Sequence, residues 1–308
     1  MNLKDCPPFA SLHKPAFAKT DKTAWSKIYN WAVRLESEGK YAEALEHYSS
    51  AVGIDEQFAE AHFRLGHCYW ALGRYKQARD SFIRACYLDT LRFRADEQIN
   101  EIICRVAQKA GRGVYFVDAV KAFQEASPYG TPGKELFYEH VHFNFSGSYL
   151  LARTMFDHIE KTILEQRGVK RNSDGAMLGE EDCAARLAFT GWDHLAIVQK
   201  IFDGFFKNPP FTNQAYHEEQ VEEMKKQIEA LKYYTHSSGL QESLGQYQQA
   251  LKLSPSDWYL HWKYGQFLYK ALGEYEAAIS QLTMVLQELP HCYAYNELSV
   301  LFYKQGRA

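Results

Sequence analysis

The sequence lacks the features that mark membrane, secreted, metal-binding and nucleic-acid-binding proteins. It has no apolar run near the roughly 18 residues that a membrane-spanning helix needs, and no apolar core of a secretion signal at its start. Its formal net charge of −3 gives no electrostatic reason to bind nucleic acid. The 6 cysteines are scattered without a CxxC pair, which argues against a disulfide framework or a zinc site. We therefore expect a cytoplasmic protein with no nucleic-acid, membrane, metal or cofactor partner.

Proline is scarce as well, with 9 residues, whereas aromatic side chains make up 15% of the chain. Few prolines and many aromatic residues favour packed helical hairpins. The 46% apolar and 24% charged residues are an ordinary globular balance, which argues against disorder. A length of 308 residues is enough for about one to three domains.

A period of 34 residues is visible near the N-terminus. Trp25–Phe58 and Ala59–Arg92 align without a gap, so that Asp55 falls on Asp89. Gly73 is predicted to end the first helix of its unit, because glycine readily adopts the left-handed conformation that terminates helices. Repetition of this kind predicts a stack of similar helical hairpins.

The second unit resembles the tetratricopeptide repeat. In that motif small residues let two antiparallel helices approach closely, and large residues fill the seam between neighbouring hairpins. The signature positions are occupied here by Leu65, Gly66, Tyr69, Ala78, Phe82 and Ala85. The resemblance implies a helical solenoid whose first helices line a groove that binds a protein or peptide segment.

On that mapping the groove is lined by side chains from the first helix of each hairpin. They are Tyr29, Asn30, Val33, Phe63, Arg64, His67 and Trp70. Asn30 and Arg64 suggest a site for a peptide carboxylate, although the lysines of a complete carboxylate clamp are absent. The alternative is that some of these side chains pack against a neighbouring domain.

A second array with the same period closes the sequence. Trp258–His291 follows the pattern, and Cys292 starts another unit in which Ser299 lies 34 residues after Gly265. This last unit contains a first helix without its partner. A half-repeat leaves an apolar face uncovered, so we expect either a truncated sequence or another segment that caps it.

The middle of the chain does not follow the period. Gly113–Ala119 reads as a short buried strand ending at Asp118, and Ser146–Gln166 as an amphipathic helix. Strand, loop and helix in that order predict a small partial α/β segment with one or two strands. A lone strand has unpaired edges, so residues 114–117 are a candidate surface for self-association.

The block EHVHFN, from Glu139 to Asn144, is followed by Gly147 and a helix. It resembles the last conserved block of SGNH (GDSL-type) hydrolases, and its flanks resemble bacterial proteins that interleave such a domain with tetratricopeptide repeats. The resemblance implies that His142 is a catalytic base that Glu139 orients. His140 and His142 also form an HxH pair, but no third metal ligand is evident, so packing is the preferred interpretation.

The hydrolase resemblance covers Met1–His13 and Ala95–Arg167 and departs from the family pattern in two ways. The acid is Glu139 where the family usually has Asp, and the block with the nucleophilic serine is missing. Without that serine no acyl-enzyme can form. The chain is therefore either not an enzyme on its own, or the C-terminal part of an SGNH-type esterase or acyltransferase whose serine lies outside it.

These observations predict a mainly α protein in which tetratricopeptide-type arrays flank a partial α/β segment. The predicted segments are 1–24 (extended), 25–92 (two repeats), 93–167 (hydrolase-like), 168–214 (linker and helical pair) and 215–308 (C-terminal array). The predicted function is a helical-repeat scaffold for protein–protein interaction. The sequence of such a scaffold does not identify its partner.

Overall fold

The computed structural model describes residues 1–15, 17–111, 113–164, 167–169, 177–290 and 292–307. The chain divides into two compact units, one formed by Met1–Gly175 with Gly204–Gln220 and the other by Ala176–Asp203 with Val221–Ala308. In the described ranges, no helix combines the length and the apolar character needed to cross a membrane. Residues 170–176, at the start of the predicted linker, lie outside the described part.

The first unit contains two consecutive helical hairpins. Their helices are α1 (Lys19–Ser37), α2 (Tyr41–Ile54), α3 (Ala59–Ala71) and α4 (Tyr75–Leu88). Gly39 and Gly73 follow the first helix of each hairpin with φ angles of 75° and 72°, which glycine adopts without steric cost. The predicted repeat of 34 residues therefore corresponds to one hairpin.

Small residues let the helices of each hairpin pack closely. Ala44 and Ala78 are fully buried, and Gly66 lies so near the ring of Phe82 that a Cβ atom there would be 2.7 Å from ring carbons. The indole N–H of Trp25 donates to the carbonyl oxygen of Ala51 at 3.0 Å, which joins α1 to α2. Apolar burial along these seams is the main source of stability for such hairpins.

Further helices follow the repeats in this unit. They are α5 (Glu97–Lys109), α6 (Ala119–Ala126) and α7 (Phe145–Ile159), with a π-helical turn over Glu160–Leu164. Each of the three α-helices has a side-chain cap at its start, from Asp96, Asp118 and Asn144 respectively. Asp118, predicted as the end of a strand, is thus the cap of a helix.

The strand predicted over Gly113–Ala119 is wrong for the residues that the structure describes. Residues 114–118 have no regular secondary structure, and Val114 and Tyr115 are about half exposed rather than buried. A strand forms only where a second segment pairs with its backbone, and none does so in the described ranges. The prediction of self-association through residues 114–117 depended on an unpaired strand edge. The described residues contain no such edge there, so this prediction has no structural support.

The second unit is also helical. Its helices are α8 (Glu180–Arg186), α9 (Gly191–Ile201), most of α10 (His217–Leu231), α11 (Ser237–Leu253), α12 (Trp258–Phe267), α13 (Tyr275–Glu288) and α14 (Cys292–Lys304). Thr190 caps α9 in a reciprocal capping box with Asp193. The carboxylate of Asp193 also accepts the hydroxyl of buried Tyr247 on α11 at 2.8 Å, which fixes α9 against the repeats.

Candidate functional site

The N-terminal residues run across the first helices of the N-terminal repeats. Leu3 is buried against Phe63 of α3 and Phe82 of α4. The Nε2–H of His67 donates to the carbonyl oxygen of Lys4 at 3.1 Å. Burial lowers the pKa of His67, which favours the neutral imidazole that this contact uses. The face predicted to bind a peptide therefore holds an extended stretch of its own chain.

Two aspartates at equivalent positions of the two repeats hold this stretch by its backbone. The carboxylate of Asp89 accepts the N–H groups of Phe9 and Ala10 at 2.9 and 3.1 Å. The carboxylate of Asp55 accepts the backbone N–H of Lys14 at 3.3 Å and contacts His13 Nδ1 at 2.7 Å. Carboxylate–amide bonds of this kind are charge-assisted and directional. Side chains of the stretch contribute as well, since the amine of Lys14 donates to the carbonyl oxygen of Ile54 and the hydroxyl of Ser11 accepts the backbone N–H of Glu60. The repeats therefore hold this stretch by both its backbone and its side chains.

A loop of the same unit covers the other side of this stretch. The N–H groups of Asn2 and Leu3 donate to the carbonyl oxygens of His140 and Pro132 at 3.0 and 2.8 Å. The guanidinium of Arg94 donates to the carbonyl oxygen of Asn2 at 2.7 Å. The first residues of the chain are therefore part of the core of the first unit.

The predicted groove residues occupy different environments. Arg64 is paired with Glu36 at 3.1 Å and with Glu60 at 2.8 Å, so its charge is neutralised within the unit. The ring of Tyr216 lies 4.5 Å from the guanidinium of Arg64 and 4.7 Å from the ring of His67. Tyr216 could not be predicted as part of this face, because no local pattern connects it with helices more than a hundred residues away.

The remaining groove residues differ in accessibility. Tyr29 is buried, and its hydroxyl donates to Glu60 at 2.7 Å. Val33 and Trp70 are half-buried, whereas Asn30 is exposed. With Arg64 already paired, Asn30 and Arg64 do not form a free site for a peptide carboxylate.

The first helices of the C-terminal array carry an aromatic stripe that is accessible. The repeat positions that line the predicted groove in the N-terminal array recur on α12 and the turn that continues it. They recur again 34 residues later on α14. The stripe comprises Gln266, Tyr269, Asn296, Val300 and Tyr303, all exposed or half-buried. Sequence analysis named groove residues only in the N-terminal array, although the same register could have been carried to this one.

A tight turn in the first unit brings Glu139 and His142 together. A single antiparallel bridge joins Phe137 to Phe143, and the N–H of Tyr138 donates to the carbonyl oxygen of His142 at 2.9 Å. Gly147 at the start of α7 lies against this turn, where a Cβ atom would be 2.1 Å from the carbonyl oxygen of Leu136. The cap of Asn144 on α7 fixes the same turn.

Glu139 is buried and orients the exposed imidazole of His142. Its carboxylate accepts the backbone N–H of His142 at 2.8 Å and contacts the ring Nδ1 of the same residue. The His142 side chain is 51% exposed, so the second ring nitrogen is accessible. The pair has the arrangement of an acid that orients a base.

Opposing effects set the pKa of Glu139. Burial alone would raise it, but hydrogen bonds from His140 and from the backbone and ring of His142 outweigh burial and lower the pKa to about 2. Glu139 therefore remains a carboxylate at neutral pH, as the orienting role requires.

His140 has a structural role. His140 Nε2 lies 3.2 Å from the carbonyl oxygen of Pro7 and 2.8 Å from the amide nitrogen of Gln214, which donates to the same carbonyl at 2.7 Å. Nδ1 of His140 lies 3.5 Å from the carboxylate of Glu139, and burial lowers the pKa of His140. The ring stacks on Phe9 with 4.2 Å between centroids. In the described ranges, no cluster of three or more His, Cys, Asp or Glu side chains has the geometry of a metal site.

Two parts of the chain match known sequence families. One family model, described as tetratricopeptide repeat, matches residues 35–85, and another with the same description matches residues 237–291. No curated protein matches the chain. The second match includes α11. Gly239 on this helix lies close to the preceding turn, because a Cβ atom at its position would be 2.4 Å from the carbonyl oxygen of Tyr233.

Solved tetratricopeptide repeat structures are similar at low sequence identity. YrrB, described as a TPR protein with an unusual peptide-binding site, is 15% identical over 92% of this chain and 98% of its own, with a TM-score of 0.23. The TPR domain of P58(IPK) is 12% identical over 92% of this chain and 99% of its own, with a TM-score of 0.22. These TM-scores are too low to support an inference. The family models establish that the chain contains tetratricopeptide repeats in both of its arrays.

Proposed function

We propose that the chain is a tetratricopeptide repeat scaffold that binds an extended segment of another protein. The observation that carries the proposal is the way in which the N-terminal repeats hold residues 1–14. Asp55, Asp89 and His67 contact backbone atoms of an extended stretch, which is the form in which a partner segment would be presented.

The C-terminal array supplies the accessible surface for such a partner. In the N-terminal array residues 1–14 already occupy much of the predicted groove. Only its edge, which includes Asn30, Val33 and Trp70, would remain accessible to a partner. The aromatic stripe on α12 and α14 occupies the corresponding repeat positions and is open to solvent. Tyrosine side chains bury large areas at small entropic cost, and for this reason they are frequent in protein-binding surfaces.

Peptides selected on the full chain from a displayed library, and then measured by calorimetry, test this proposal. We expect Tyr303→Ser, on the stripe, to weaken binding by about tenfold or more. Tyr295→Ser is the matched control, since Tyr295 is similarly exposed on the same helix but lies off the stripe. If Trp70→Ala abolished binding and Tyr303→Ser left it unchanged, the binding site would lie in the N-terminal array instead. Failure to select any peptide would contradict the proposal.

A second candidate function rests on the Glu139–His142 pair. We propose that this segment supplies the base of an SGNH-type ester hydrolase or acyltransferase whose serine belongs to another polypeptide segment. The buried acid and the exposed imidazole favour it. The chain on its own would then promote only the slow hydrolysis that an oriented imidazole gives with an activated ester.

Hydrolysis of a p-nitrophenyl ester by the full chain tests this second function. His142→Ala should abolish the rate above background, and Glu139→Gln should reduce it because the imidazole loses its orienting acid. His236→Ala removes an exposed histidine of the second unit and should leave the rate unchanged. Equal rates in all four proteins would exclude a role for the pair as a base.

A further inference from the structure

Two tyrosine rings of the first unit lie face to face at the surface. The centroids of Tyr75 and Tyr129 are 3.4 Å apart, and the ring planes differ by only 7°. The pKa of Tyr75 is raised by its side-chain hydrogen bond with Tyr129, which places the two hydroxyls at the same end of the stack. Tyr129 is 61% exposed and Tyr75 is half-buried, so a reagent in solution can reach this stacked pair.

The backbone and a third ring hold the stacked pair in position. Tyr129 lies in the turn Pro128–Gly130 with a φ angle of 52°, in the left-handed region that a bulky residue rarely adopts. A conformation of this kind persists only where the surrounding contacts maintain it. The ring of Trp70 packs at a steep angle against Tyr75 and Tyr129, with centroids 5.0 and 5.7 Å away. The stack is therefore a fixed feature of the first unit.

Parallel and closely stacked phenols meet the geometric requirement for radical coupling. One-electron oxidation of a tyrosine, with loss of its hydroxyl proton, gives a phenoxyl radical. Its unpaired electron is shared with the ring carbons next to the C–O bond, in orbitals perpendicular to the ring. Two such radicals in parallel rings have these orbitals directed at each other, so a carbon–carbon bond can form between the rings.

Two other tyrosine pairs each lack one of these conditions. Tyr233 and Tyr234 have centroids 5.1 Å apart, but their rings are nearly perpendicular, at 81°. Tyr247 and Tyr264 are closer to parallel, with centroids 5.4 Å apart, but Tyr247 is fully buried. The stacked pair combines the short distance, the parallel rings and the exposure that coupling requires.

We propose that Tyr75 and Tyr129 form an oxidative cross-linking site, which hydrogen peroxide and a peroxidase convert to dityrosine. The two side chains together lose two electrons and two hydroxyl protons, and hydrogen peroxide takes up both to become two molecules of water. The two unpaired electrons form the carbon–carbon bond between the rings. Each bonded carbon then loses its proton and each ring oxygen gains one, which restores both aromatic rings. The cross-linked chain is therefore lighter by two hydrogen atoms.

The cross-link would join α4 to the loop that covers the start of the chain. Shortly after Tyr129, the carbonyl oxygen of Pro132 accepts the N–H of Leu3 at 2.8 Å, and that of Thr131 accepts the ammonium of Lys4 at 3.4 Å. A covalent bond that holds this loop to the repeats restricts its opening. We therefore expect slower hydrogen exchange at the Leu3 amide in the cross-linked chain. This modification goes beyond the proposed scaffold function and does not depend on a partner.

Peptide mass spectrometry of the dilute full chain, after treatment with hydrogen peroxide and a peroxidase, tests the site. We expect dityrosine fluorescence in the monomer and a linked peptide pair that contains residues 75 and 129. Tyr75→Phe and Tyr129→Phe should each abolish this linked pair, because phenylalanine gives no phenoxyl radical. Tyr295→Phe is the matched control, with 57% exposure against 61% for Tyr129, and should leave the yield unchanged.

Circular dichroism verifies that both variants of the stacked pair remain folded, and hydrogen exchange on the purified cross-linked chain measures the closure of the loop. Dityrosine that forms equally well in Tyr129→Phe would overturn the proposal. So would linked peptides that map to other tyrosines, or cross-links that form only between molecules. Unchanged exchange at the Leu3 amide would show that the cross-link does not hold the loop over the start of the chain.

Discussion

Asp55 and Asp89 occupy the same position in successive repeats and make the same kinds of contact. Each carboxylate accepts a backbone N–H from the residues that cross the repeats, and each also accepts the N–H two residues further along its own loop. Both side chains are buried, at 0% and 4% exposure. A buried carboxylate that holds several amides is costly to remove, because the amides keep no alternative partner.

We therefore expect Asp89→Asn to destabilise the protein by about 2 kcal/mol, since the charge-assisted bonds to Phe9 and Ala10 are weakened. Urea denaturation gives the change in free energy, and hydrogen exchange should show lost protection at those two amides. Asp80→Asn on the exposed face of α4 is the control, with an expected change within about 0.5 kcal/mol. Equal changes in the two variants would contradict this role.

The pKa of Glu139 predicts a loss of stability in acid. A carboxyl whose folded pKa is lowered to about 2 stabilises the fold at every pH above its value in the unfolded chain. This stabilisation disappears as the pH falls from about 4.5 towards 2. Free energies of unfolding between pH 5 and pH 2 should fall more steeply in the wild type than in Glu139→Gln. Parallel curves for the two proteins would show that Glu139 does not carry the effect.

At the scale of the element, hairpin geometry depends on a few close approaches between helices. The repeats could be predicted because their signals lie within one or two helical turns, as with Gly73. The strand predicted over residues 113–119 is wrong, because a strand forms only with a pairing segment and the local sequence does not specify one. The contacts of Asp55 and Asp89 with residues 9–14 could not be predicted either, because they join segments that are distant in the sequence.

Gly66→Ala tests the close approach within the second hairpin. A Cβ atom at this position would lie 2.7 Å from two ring carbons of Phe82 and 3.2 Å from the carbonyl oxygen of Ala78. We expect a loss of about 1–3 kcal/mol from overpacking. Gly53→Ala on α2 is the control, since no atom lies within 4 Å of its Cβ position, and alanine should be neutral or stabilising there. Thermal unfolding of both variants measures the difference, and similar melting temperatures would argue against the close approach.

At the scale of the whole molecule, the first unit is built around residues from distant parts of the sequence. Its core joins Leu3 to Phe63 and Phe82, and residues 131–140 close over the opposite side. The two arrays follow from periodicity, whereas this assembly follows from contacts that span the unit. The Glu139–His142 pair was predicted from its motif, but its burial and its fixing by Gly147 required the three-dimensional structure.

Leu3→Ala tests whether the start of the chain stabilises its own unit. Leu3 is 4% exposed, and its truncation removes packing against α3 and α4, with an expected loss of about 2–4 kcal/mol. Leu12→Ala, at 62% exposure, is the matched control and should change stability by less than about 0.5 kcal/mol. Hydrogen exchange should show faster opening of α4 in Leu3→Ala while α13 is unchanged, because α13 packs in the separate core of the second unit. Faster exchange at both helices would instead mean that the chain unfolds as one cooperative body.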